Sequence, residues 1–229
     1  MSAGLFVTGT DTGVGKTLVS CALLARWRAA GWRTAAMKPV AAGCRWRDGG
    51  WRNDDALALA TEATERRDYA LVNPVALEAA CAPHLAAAEQ GVALGLDELL
   101  DAYQRLAAGA QRTLVEGAGG WRVPLGPQHT LAGLPARLGL PVLLVVGVRL
   151  GCLNHALLTA EAVHSDGLTL AGWVANVLDP QDPRAAAQVE TLARRIGAPL
   201  AGVLPYLRQP AAAAAAPYLE PDALLGFGG

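Results

Sequence analysis

The chain has 229 residues, with 19 lysine and arginine residues against 20 aspartate and glutamate residues, and 52% of its residues are hydrophobic. This length fits one α/β domain or two small ones, and the composition allows a large buried core and excludes an intrinsically disordered chain. The near-neutral net charge argues against nucleic acid or a membrane surface as a partner, because proteins that bind either show basic clusters.

Cysteine spacing and apolar runs bear on the location of the protein. The four cysteines, Cys21, Cys44, Cys81 and Cys152, are widely spaced and form no C-x-x-C pair, so we expect reduced thiols and no zinc site. The amino terminus, MSAGLFVTG, lacks the basic start and long apolar stretch of a signal peptide. The longest apolar run, LPVLLVVGV at 140–148, is too short to span a bilayer. The sequence therefore predicts a cytoplasmic protein with no membrane partner.

Apolar segments alternate with helical patterns along the chain. The apolar segments predict strands at 5–8, 34–38, 112–116, 142–146, 168–175 and 200–203. The segments between these strands predict helices at 16–30, 55–63, 83–90, 96–108, 131–138, 154–164 and 184–196. Several strands are continuous apolar runs, which is typical of strands buried on both faces. This alternation predicts a single-domain α/β fold, a mostly parallel sheet flanked by helices.

The organisation of the chain predicts one domain over 1–229. No internal repeat or linker-like change in composition divides it. The segment QPAAAAAAPYLEP at 209–221 is of low complexity and lies near the terminus, so we expect residues 209–229 to form a loosely ordered surface segment.

Polar or glycine-rich loops follow five of the predicted strands. They lie at 8–12, 38–43, 116–120, 149–154 and 176–179. In open parallel sheets, ligands bind outside the carboxyl ends of the strands. The loops therefore predict one shared binding site.

The first loop lies within FVTGTDTGVGKTLVS at 6–20, where a strand leads into a glycine-containing turn that opens a helix. Backbone N–H groups of such a loop can cradle phosphate oxygens, and the helix N-terminus favours the same anion. Lys16 would reach the β- and γ-phosphates of a nucleotide, and the Thr17 hydroxyl would bind Mg²⁺. The spacing departs from the usual phosphate-loop pattern, because five residues instead of four lie between Gly9 and the Gly-Lys-Thr triplet.

Acidic residues and a second lysine complete the candidate site. Glu116 ends the apolar strand in RTLVEG, where a Walker-B-type acid lies. Asp54 and Asp55 begin a predicted helix, and their position alone leaves open which one binds metal and which one caps the helix. Lys38 leaves the second strand towards the phosphate loop. A second cation there suits a reaction that builds charge on a transferred phosphoryl group, and it also suits an anionic substrate such as a carboxylate or carbamate.

Together these motifs resemble those of the dethiobiotin synthetase family, which acts in biotin biosynthesis, over nearly the whole chain. The matching segments, in the family's order, are FVTGTDTGVGKT, KPVAAG, RNDDALAL, VNP, VEGAGGW, PVLLVVGVRLGCLNHALLT and LAGWVAN. The first is similar to the family's own phosphate loop, including the extra residue. VEGAGGW and GCLNHALLT are the most specific. The resemblance implies a P-loop NTPase-like fold.

The resemblance also implies a reaction. In the family, one amine of 7,8-diaminononanoate takes up CO₂ as a carbamate, and the carbamate oxygen attacks the γ-phosphate of ATP to give a carbamic-phosphoric anhydride. The second amine then closes the ring, which yields dethiobiotin, ADP and phosphate. ATP is the co-substrate and Mg²⁺ the cofactor. The implied assembly is a homodimer with the substrate site at the subunit interface.

Position by position, the resemblance implies that Lys38 and Lys16 are catalytic. The metal ligands would be Thr17, Asp55 and Glu116, since the register of RNDDALAL selects Asp55. ATP would contact Thr12, Gly13, Val14, Gly15, Lys16, Thr17, Asp55, Glu116, Gly117, Ala118, Gly119, Asn176, Val177, Pro205, Tyr206 and Leu207. The substrate would contact Lys38, Ala42 and, from the second subunit, Gly151, Cys152, Leu153 and Asn154.

Individual roles follow from the same resemblance. The amide of Asn176 would read an adenine edge through one donor and one acceptor, and the segment 205–207 would wall the base. Cys152 would act as a backbone donor. For His155 the residues themselves leave two roles, a base or a structural histidine, and its place at the start of a helix favours the structural role.

The chain departs from the family pattern at several positions. Ala42 stands where a serine is common, and Gln188 stands where an aromatic residue helps to hold the substrate tail. An acidic residue near the ribose or adenine is missing from the poly-alanine segment. We expect these changes to alter affinity.

Two other classes of protein fit the sequence less well. An ATP-switch protein of the partitioning type would carry a second lysine early in the phosphate loop, where this chain has Thr10, Asp11 and Thr12. An ATP-dependent amidotransferase or ligase would add a glutaminase domain, for which 229 residues leave no room.

Overall fold

A six-stranded parallel sheet lies at the centre of the computed structural model, which describes residues 3–224 and 226. The strands in this part of the chain are β1 (Ala3–Gly9), β2 (Thr34–Met37), β3 (Val40–Ala41), β4 (Arg45–Arg47), β5 (Gly50–Arg52), β6 (Val75–Ala76), β7 (Arg112–Glu116), β8 (Val142–Val148), β9 (Leu170–Val177) and β10 (Leu200–Leu204). The order in the central sheet is β10-β9-β8-β1-β7-β2, and every neighbouring pair is parallel. The predicted α/β fold class is confirmed.

Helices cover both faces of this sheet. They are α1 (Lys16–Ala29), α2 (Asp54–Glu62), α3 (Tyr69–Val72), α4 (Pro83–Gln90), α5 (Leu96–Ala107), α6 (Gly133–Leu138), α7 (Cys152–Ser165), α8 (Ala185–Ala193) and α9 (Ala212–Ala215), with 3₁₀ turns at Ala216–Tyr218 and Pro221–Ala223. Leu5 and Val7 of β1 pack in one core with α1 and α9, whereas Phe6 packs in the other with α5, α6 and α7. Burial on both faces explains the continuous apolar runs. Within the described residues, no helix has the length and apolar character to cross a bilayer.

The predicted elements agree with the structure most closely where apolar runs are long. All six predicted strands are present, and α4 has the predicted bounds. The helix predicted at 154–164 begins two residues earlier, at Cys152, because Gly151 adopts a left-handed conformation with φ of 93° directly before it. The short pair β3–β6, the hairpin β4–β5 and helix α3 were not predicted from the sequence.

The segment after Gln209 packs against the domain, although the sequence predicted a loosely ordered segment there. Helix α9 and the turn that follows it lie against α1, with Ala215 fully buried and Leu219 nearly so. The N–H of Glu220 donates to the Ala201 carbonyl at 2.8 Å, which ties the segment to β10. Small side chains allow this close approach, but a run of alanines shows no apolar periodicity that would reveal it. Residues 225 and 227–229 of the predicted segment lie outside the described residues.

Ala215→Asp tests this packing. A carboxylate buried against α1 would lose its hydration, so we expect the free energy of unfolding to fall by about 2 kcal/mol in urea denaturation. Ala213 belongs to the same helix but is exposed. Ala213→Asp is therefore the matched control and should change the value by less than about 0.5 kcal/mol. Equal, small effects of both substitutions would mean that the segment does not pack on α1.

Candidate active site

The carboxyl ends of β1, β2 and β7 open into one cleft with a volume of about 830 Å³. Strand β7 lies between β1 and β2 in the sheet. The loop after β1 therefore approaches the end of β7 from one side, and the loop after β2 approaches it from the other. This arrangement brings residues from three distant parts of the sequence together.

The phosphate loop after β1 depends on two glycines in left-handed conformations. Gly13 has φ of 75° and Gly15 has φ of 93°, which residues with a side chain rarely adopt. A Cβ on Gly15 would also lie 2.2 Å from the Asn176 amide nitrogen. That amide nitrogen donates to the Val14 carbonyl at 2.9 Å. The glycines therefore allow the loop to turn and let β9 contact it closely.

Lys16 folds back across this loop. Its Nζ donates to the Asp11 carbonyl at 2.9 Å and to the Gly119 carbonyl at 2.6 Å. Two effects lower the pKa of Lys16 to about 8, burial being the larger and the nearby charge of Lys38 the next. A phosphate group in the loop would oppose both effects, because an anion beside an ammonium favours its charged form.

Glu116, at the end of β7, is the centre of the site. Its side chain has no exposed surface, and Oε1 accepts from Lys38 Nζ at 2.6 Å and from the Thr17 hydroxyl at 2.9 Å. Its other oxygen, Oε2, is buried and has no hydrogen-bond partner. An unsatisfied buried carboxylate oxygen is costly, so this atom has a free acceptor position for a ligand of the site.

Lys38 joins Glu116 to Asp55. Its Nζ lies 3.1 Å from Asp55 Oδ2, and its side chain is 5% exposed. Burial alone would lower the pKa of Lys38, but the attraction of Glu116 and Asp55 outweighs it and raises the pKa above its usual value. For Asp55, burial opposes ionisation, and the Lys38 charge overcomes it and lowers the pKa. Lys38 is therefore held as a cation between two carboxylates.

The two adjacent aspartates, Asp54 and Asp55, have different partners in the structure. Asp54 points to the hairpin, where it pairs with Arg47 at 3.0 Å and Arg45 at 3.7 Å. Neither aspartate caps helix α2 by its side chain. Asn53 does so, since its Oδ1 accepts from the N–H groups of Asp55 and Ala56 at 3.0 and 3.2 Å. Asp55 is thus the acidic residue that the helix start presents to Lys38.

Thr17, Asp55 and Glu116 fit a magnesium ion. All three offer oxygen atoms, which Mg²⁺ prefers, and Mg²⁺ commonly binds one or two carboxylates together with substrate phosphates. The unpartnered Oε2 of Glu116 is such a donor. Among the described residues, no group of three or more His, Cys, Asp and Glu side chains could hold a metal, so an all-protein metal cage is not found there.

The predicted site residues fall into three groups. Those that line the cleft are Thr12, Gly13, Gly15, Lys16, Thr17, Lys38, Ala42, Asp55, Ala118 and Gly119. Those bonded to residues of the loop or of the cleft are Val14, Asn176, Glu116 and Gly117, whose carbonyl lies 3.3 Å from Lys38 Nζ. Those that do not line it are Val177, Pro205, Tyr206, Leu207, Gly151, Cys152, Leu153 and Asn154.

The segment 151–154 begins helix α7 on the surface. Gly151 and Asn154 are exposed, and Cys152 is buried with its Sγ 3.1 Å from Gln188 Oε1. Arg149, just before the segment, pairs with Asp11 of the phosphate loop at 2.6 Å. None of residues 151–154 lines the cleft, although Arg149 ties the segment to the phosphate loop.

Sequence reasoning missed two groups near the site. Asn73, in the VNP segment, is 2% exposed and donates to the Lys38 carbonyl at 2.8 Å. Arg122 lines the cleft and forms a bidentate pair with Asp166 at 2.7 and 2.9 Å. The VNP and GGWR segments were visible in the sequence, but no local pattern indicates these distant partners.

Comparison with known proteins identifies close relatives. A family model described as an AAA domain matches residues 3–214. The ATP-dependent dethiobiotin synthetase of Cellvibrio japonicus is 54% identical over 220 residues, which cover 96% of each chain. That of Pseudomonas paraeruginosa is 55% identical over 216 residues, or 94% of this chain and 95% of the relative. That of Yersinia pestis bv. Antiqua is 50% identical over 207 residues, or 90% and 86%.

Solved structures with low identity share the fold. The signal recognition particle 54 kDa protein of Aeropyrum pernix in complex with GDP has a TM-score of 0.52 at 18% identity, covering 93% of this chain and 43% of that one. The cell division protein FtsY of Thermotoga maritima has a TM-score of 0.51 at 16% identity, covering 93% and 63%. The chain thus spans less than two thirds of either solved chain. These structures confirm the predicted P-loop NTPase-like fold and indicate nothing further about this chain.

The lowered pKa of Lys16 predicts how stability depends on pH. Between about 8 and the ordinary 10.5, the unfolded chain binds more protons than the folded one, so stability rises with pH. Below pH 8 the full cost of the buried charge is present. Lys16→Met should therefore stabilise the ligand-free protein near pH 7 by roughly 1 to 2 kcal/mol, after allowance for two lost hydrogen bonds. This gain should shrink as the pH approaches 10.5.

Lys38→Met is the matched control for that prediction. It would leave Glu116 and Asp55 buried without their shared cation, so we expect a loss of about 3 kcal/mol. Urea unfolding near pH 7 and near pH 10 measures both variants. A destabilising Lys16→Met near pH 7 would contradict the lowered pKa. Because the sequence contains only these two lysines, side-chain NMR signals of labelled lysine report each titration separately.

Proposed function

The chain belongs to the ATP-dependent dethiobiotin synthetase family, and on that premise we propose that it converts 7,8-diaminononanoate, CO₂ and ATP into dethiobiotin, ADP and phosphate in biotin biosynthesis. The site is the cleft at the carboxyl ends of β1, β2 and β7. The observation that carries the proposal is Lys38, a buried cation between Asp55 and Glu116 beside the phosphate loop.

Lys38 supplies positive charge where the reaction builds negative charge. A carbamate becomes reactive towards an amine once phosphorylation turns one of its oxygens into a good leaving group. The carbamate oxygen carries negative charge until it attacks, and during the transfer negative charge is spread over the γ-phosphate oxygens and builds on the departing ADP. A fixed cation in a site with little water stabilises this charge strongly. The raised pKa of Lys38 keeps it protonated for this role. Its two carboxylate partners fix its position before substrate binds.

Lys16 and the phosphate loop hold the triphosphate. The glycine turns before α1 direct backbone N–H groups inward, and Lys16 exchanges its bonds to the Asp11 and Gly119 carbonyls for bonds to phosphate oxygens. The lowered pKa of Lys16 is a property of the ligand-free loop. Bound phosphate charge restores the ammonium form, so nucleotide binding takes up a fraction of a proton near pH 8.

Thr17, Asp55 and Glu116 would hold Mg²⁺. Their oxygen donors and the free acceptor on Glu116 support this assignment. When bound, the ion neutralises charge on the β- and γ-phosphate oxygens. Lys38 contacts both carboxylates. It therefore preorganises the carboxylates that the ion would share.

The apolar lining of the cleft suits an aliphatic diamine. It includes Ala41, Ala42, Ala80, Ala82 and Val123. Ala42 offers no hydroxyl to a substrate or carbamate, so orientation depends on shape and on Lys38. Holding the second amine beside the activated carbon makes ring closure effectively unimolecular, which can be worth about 7 to 11 kcal/mol.

We assign the tail of the substrate to a second subunit, in a cytoplasmic homodimer. Support comes from the position of Gly151–Asn154, which the cleft of its own protomer does not include. The adjacent Leu150 is 98% exposed, as expected of a residue that another chain covers. The helix start there offers backbone N–H groups to the substrate carboxylate. Asn176 and the segment 205–207 are assigned to the adenine.

Replacing Lys38 tests its proposed role. With ATP, Mg²⁺, bicarbonate and the diamine, Lys38→Ala should lower ADP release by about 100- to 1,000-fold, as loss of a charge-stabilising donor does. ATP affinity, measured by calorimetry, should change little. In the wild-type protein, omission of the diamine should abolish ADP release. ADP release that ignores the diamine would refute the synthetase function, and near-normal turnover of Lys38→Ala would refute the role of Lys38.

Mixing two inactive variants tests the shared site. Lys16→Met removes the ATP end of a cleft, and Gly151→Val disturbs the start of α7, whose φ of 93° disfavours side chains. If each site combines both subunits, a mixed dimer contains one intact site, and activity should recover to about a quarter of the wild-type value in a random mixture. Activity that stays at the level of the separate variants, despite subunit exchange shown by mass spectrometry, contradicts the proposal.

A further inference from the structure

The main chain of Lys38 is held on both sides. Its N–H donates to the Val72 carbonyl at 2.7 Å, and its carbonyl accepts from Asn73 Nδ2 at 2.8 Å. The same nitrogen donates to the Val75 carbonyl at 3.1 Å. Asn73 is 2% exposed, so it cannot exchange these bonds for water without local opening. The backbone at Lys38 is therefore fixed on one side by the Val72 carbonyl and on the other by the buried side-chain amide of Asn73.

Asn73 is in turn held by Tyr69. The Tyr69 hydroxyl donates to Asn73 Oδ1 at 3.1 Å and accepts from the backbone N–H of Asn53 at 2.8 Å. The Arg52 guanidinium lies 4.4 Å above the Tyr69 ring, a cation–π contact that restricts the ring. The Tyr69 hydroxyl therefore links Asn73, which holds the backbone of Lys38, to Asn53, the residue before α2.

Asn53 completes the link to Asp55. Its side chain caps α2 through the N–H groups of Asp55 and Ala56, and its main chain is the group that Tyr69 holds. The chain of contacts therefore runs from Lys38 through Asn73 and Tyr69 to Asn53 and Asp55. It closes a ring with the 3.1 Å ion pair between Lys38 and Asp55. None of the three intermediate residues has a part in the proposed chemistry.

We propose that Tyr69 and Asn73 are positioning residues, which set the spacing of Lys38 and Asp55 for phosphoryl transfer to the carbamate. This inference rests on the role proposed above for Lys38. Both charged groups must face the γ-phosphate region at once, and a misplacement of about 1 Å can cost on the order of a hundredfold in rate. The ion pair alone does not fix the backbones that carry it, because both side chains can follow a shift. The Tyr69 hydroxyl ties those backbones together.

Tyr69→Phe tests the proposal, because it removes one oxygen and keeps the ring. We expect kcat to fall about tenfold, which is part of the loss that a full displacement can cause, while KM for ATP stays within about twofold. Labelled lysine gives two side-chain NMR signals. The Lys38 signal should move and the Lys16 signal should not. Tyr103→Phe is the control, since it makes the same change at a buried tyrosine beside Gly4 at the amino ends of the strands, whereas Tyr69 is half-buried.

The outcomes separate the two proposals. Wild-type kcat and an unmoved Lys38 signal in Tyr69→Phe, or equal effects of Tyr103→Phe, overturn the positioning role. If Lys38→Ala keeps near-normal turnover, the proposed catalytic role of Lys38 is wrong. A moved Lys38 signal in Tyr69→Phe would then show only that Tyr69 affects the position of Lys38. Asn73→Ser provides the same test if Tyr69→Phe does not fold. A lowered kcat with unchanged KM for ATP supports the proposal there, and unchanged kcat with an unmoved signal overturns it.

Discussion

The buried pair between Lys38 and Glu116 is the interaction on which the site depends. Removing two charges from water costs several kcal/mol per ion, and their attraction offsets this only with close contact and further hydrogen bonds. Here the contact is 2.6 Å, and Thr17 and Asp55 provide bonds to the two partners. Apolar residues of similar volume would often serve stability equally well. The pair therefore serves chiefly to hold Lys38 and its two carboxylate partners in fixed positions beside the phosphate loop.

Strand order makes this pair possible. Because β7 lies between β1 and β2, a residue at its carboxyl end is within reach of both neighbouring loops. Glu116 uses this position to bond Thr17 on one side and Lys38 on the other. Thr17 and Lys38 lie 99 and 78 positions from Glu116 in sequence, and only the parallel sheet brings them together. The fold thus creates the chemistry at a strand end, and the side chains alone would not.

The sequence predicted those parts of the molecule that carry strong local signals. The long apolar runs gave the six strands, and the Gly-Lys-Thr triplet and the acid after β7 identified the phosphate end of the cleft. Elements of two to four residues, such as β3, β6 and α3, are too short for periodicity to reveal. The contact between Asn73 and the Lys38 carbonyl joins residues 35 positions apart, and neither residue has a local feature that indicates the other.

Helix capping shows a further limit of sequence reasoning. Asn53, Asp54 and Asp55 are adjacent, and each has a side chain that can cap a helix. Only the surroundings distinguish them, because the hairpin presents Arg47 to Asp54 while β2 presents Lys38 to Asp55. Two of these partners come from tertiary structure. Residue types and positions alone could not assign separate roles to these three residues, and only the family register of RNDDALAL selected Asp55.

The confinement of both lysines to the cleft has a consequence for handling the protein. Its remaining basic side chains are arginines and histidines, so the amino terminus and the cleft hold all of its primary amines. Acylating reagents and aldehydes, which modify many surface sites on most proteins, would here compete directly with nucleotide. Of the two side chains, Lys16 has the lowered pKa, about 8, and so the larger share of the reactive neutral amine near that pH. Amine coupling to a solid support is thus limited to the amino terminus and the cleft, and thiol coupling through exposed Cys81 would meet the same cleft, which it also lines.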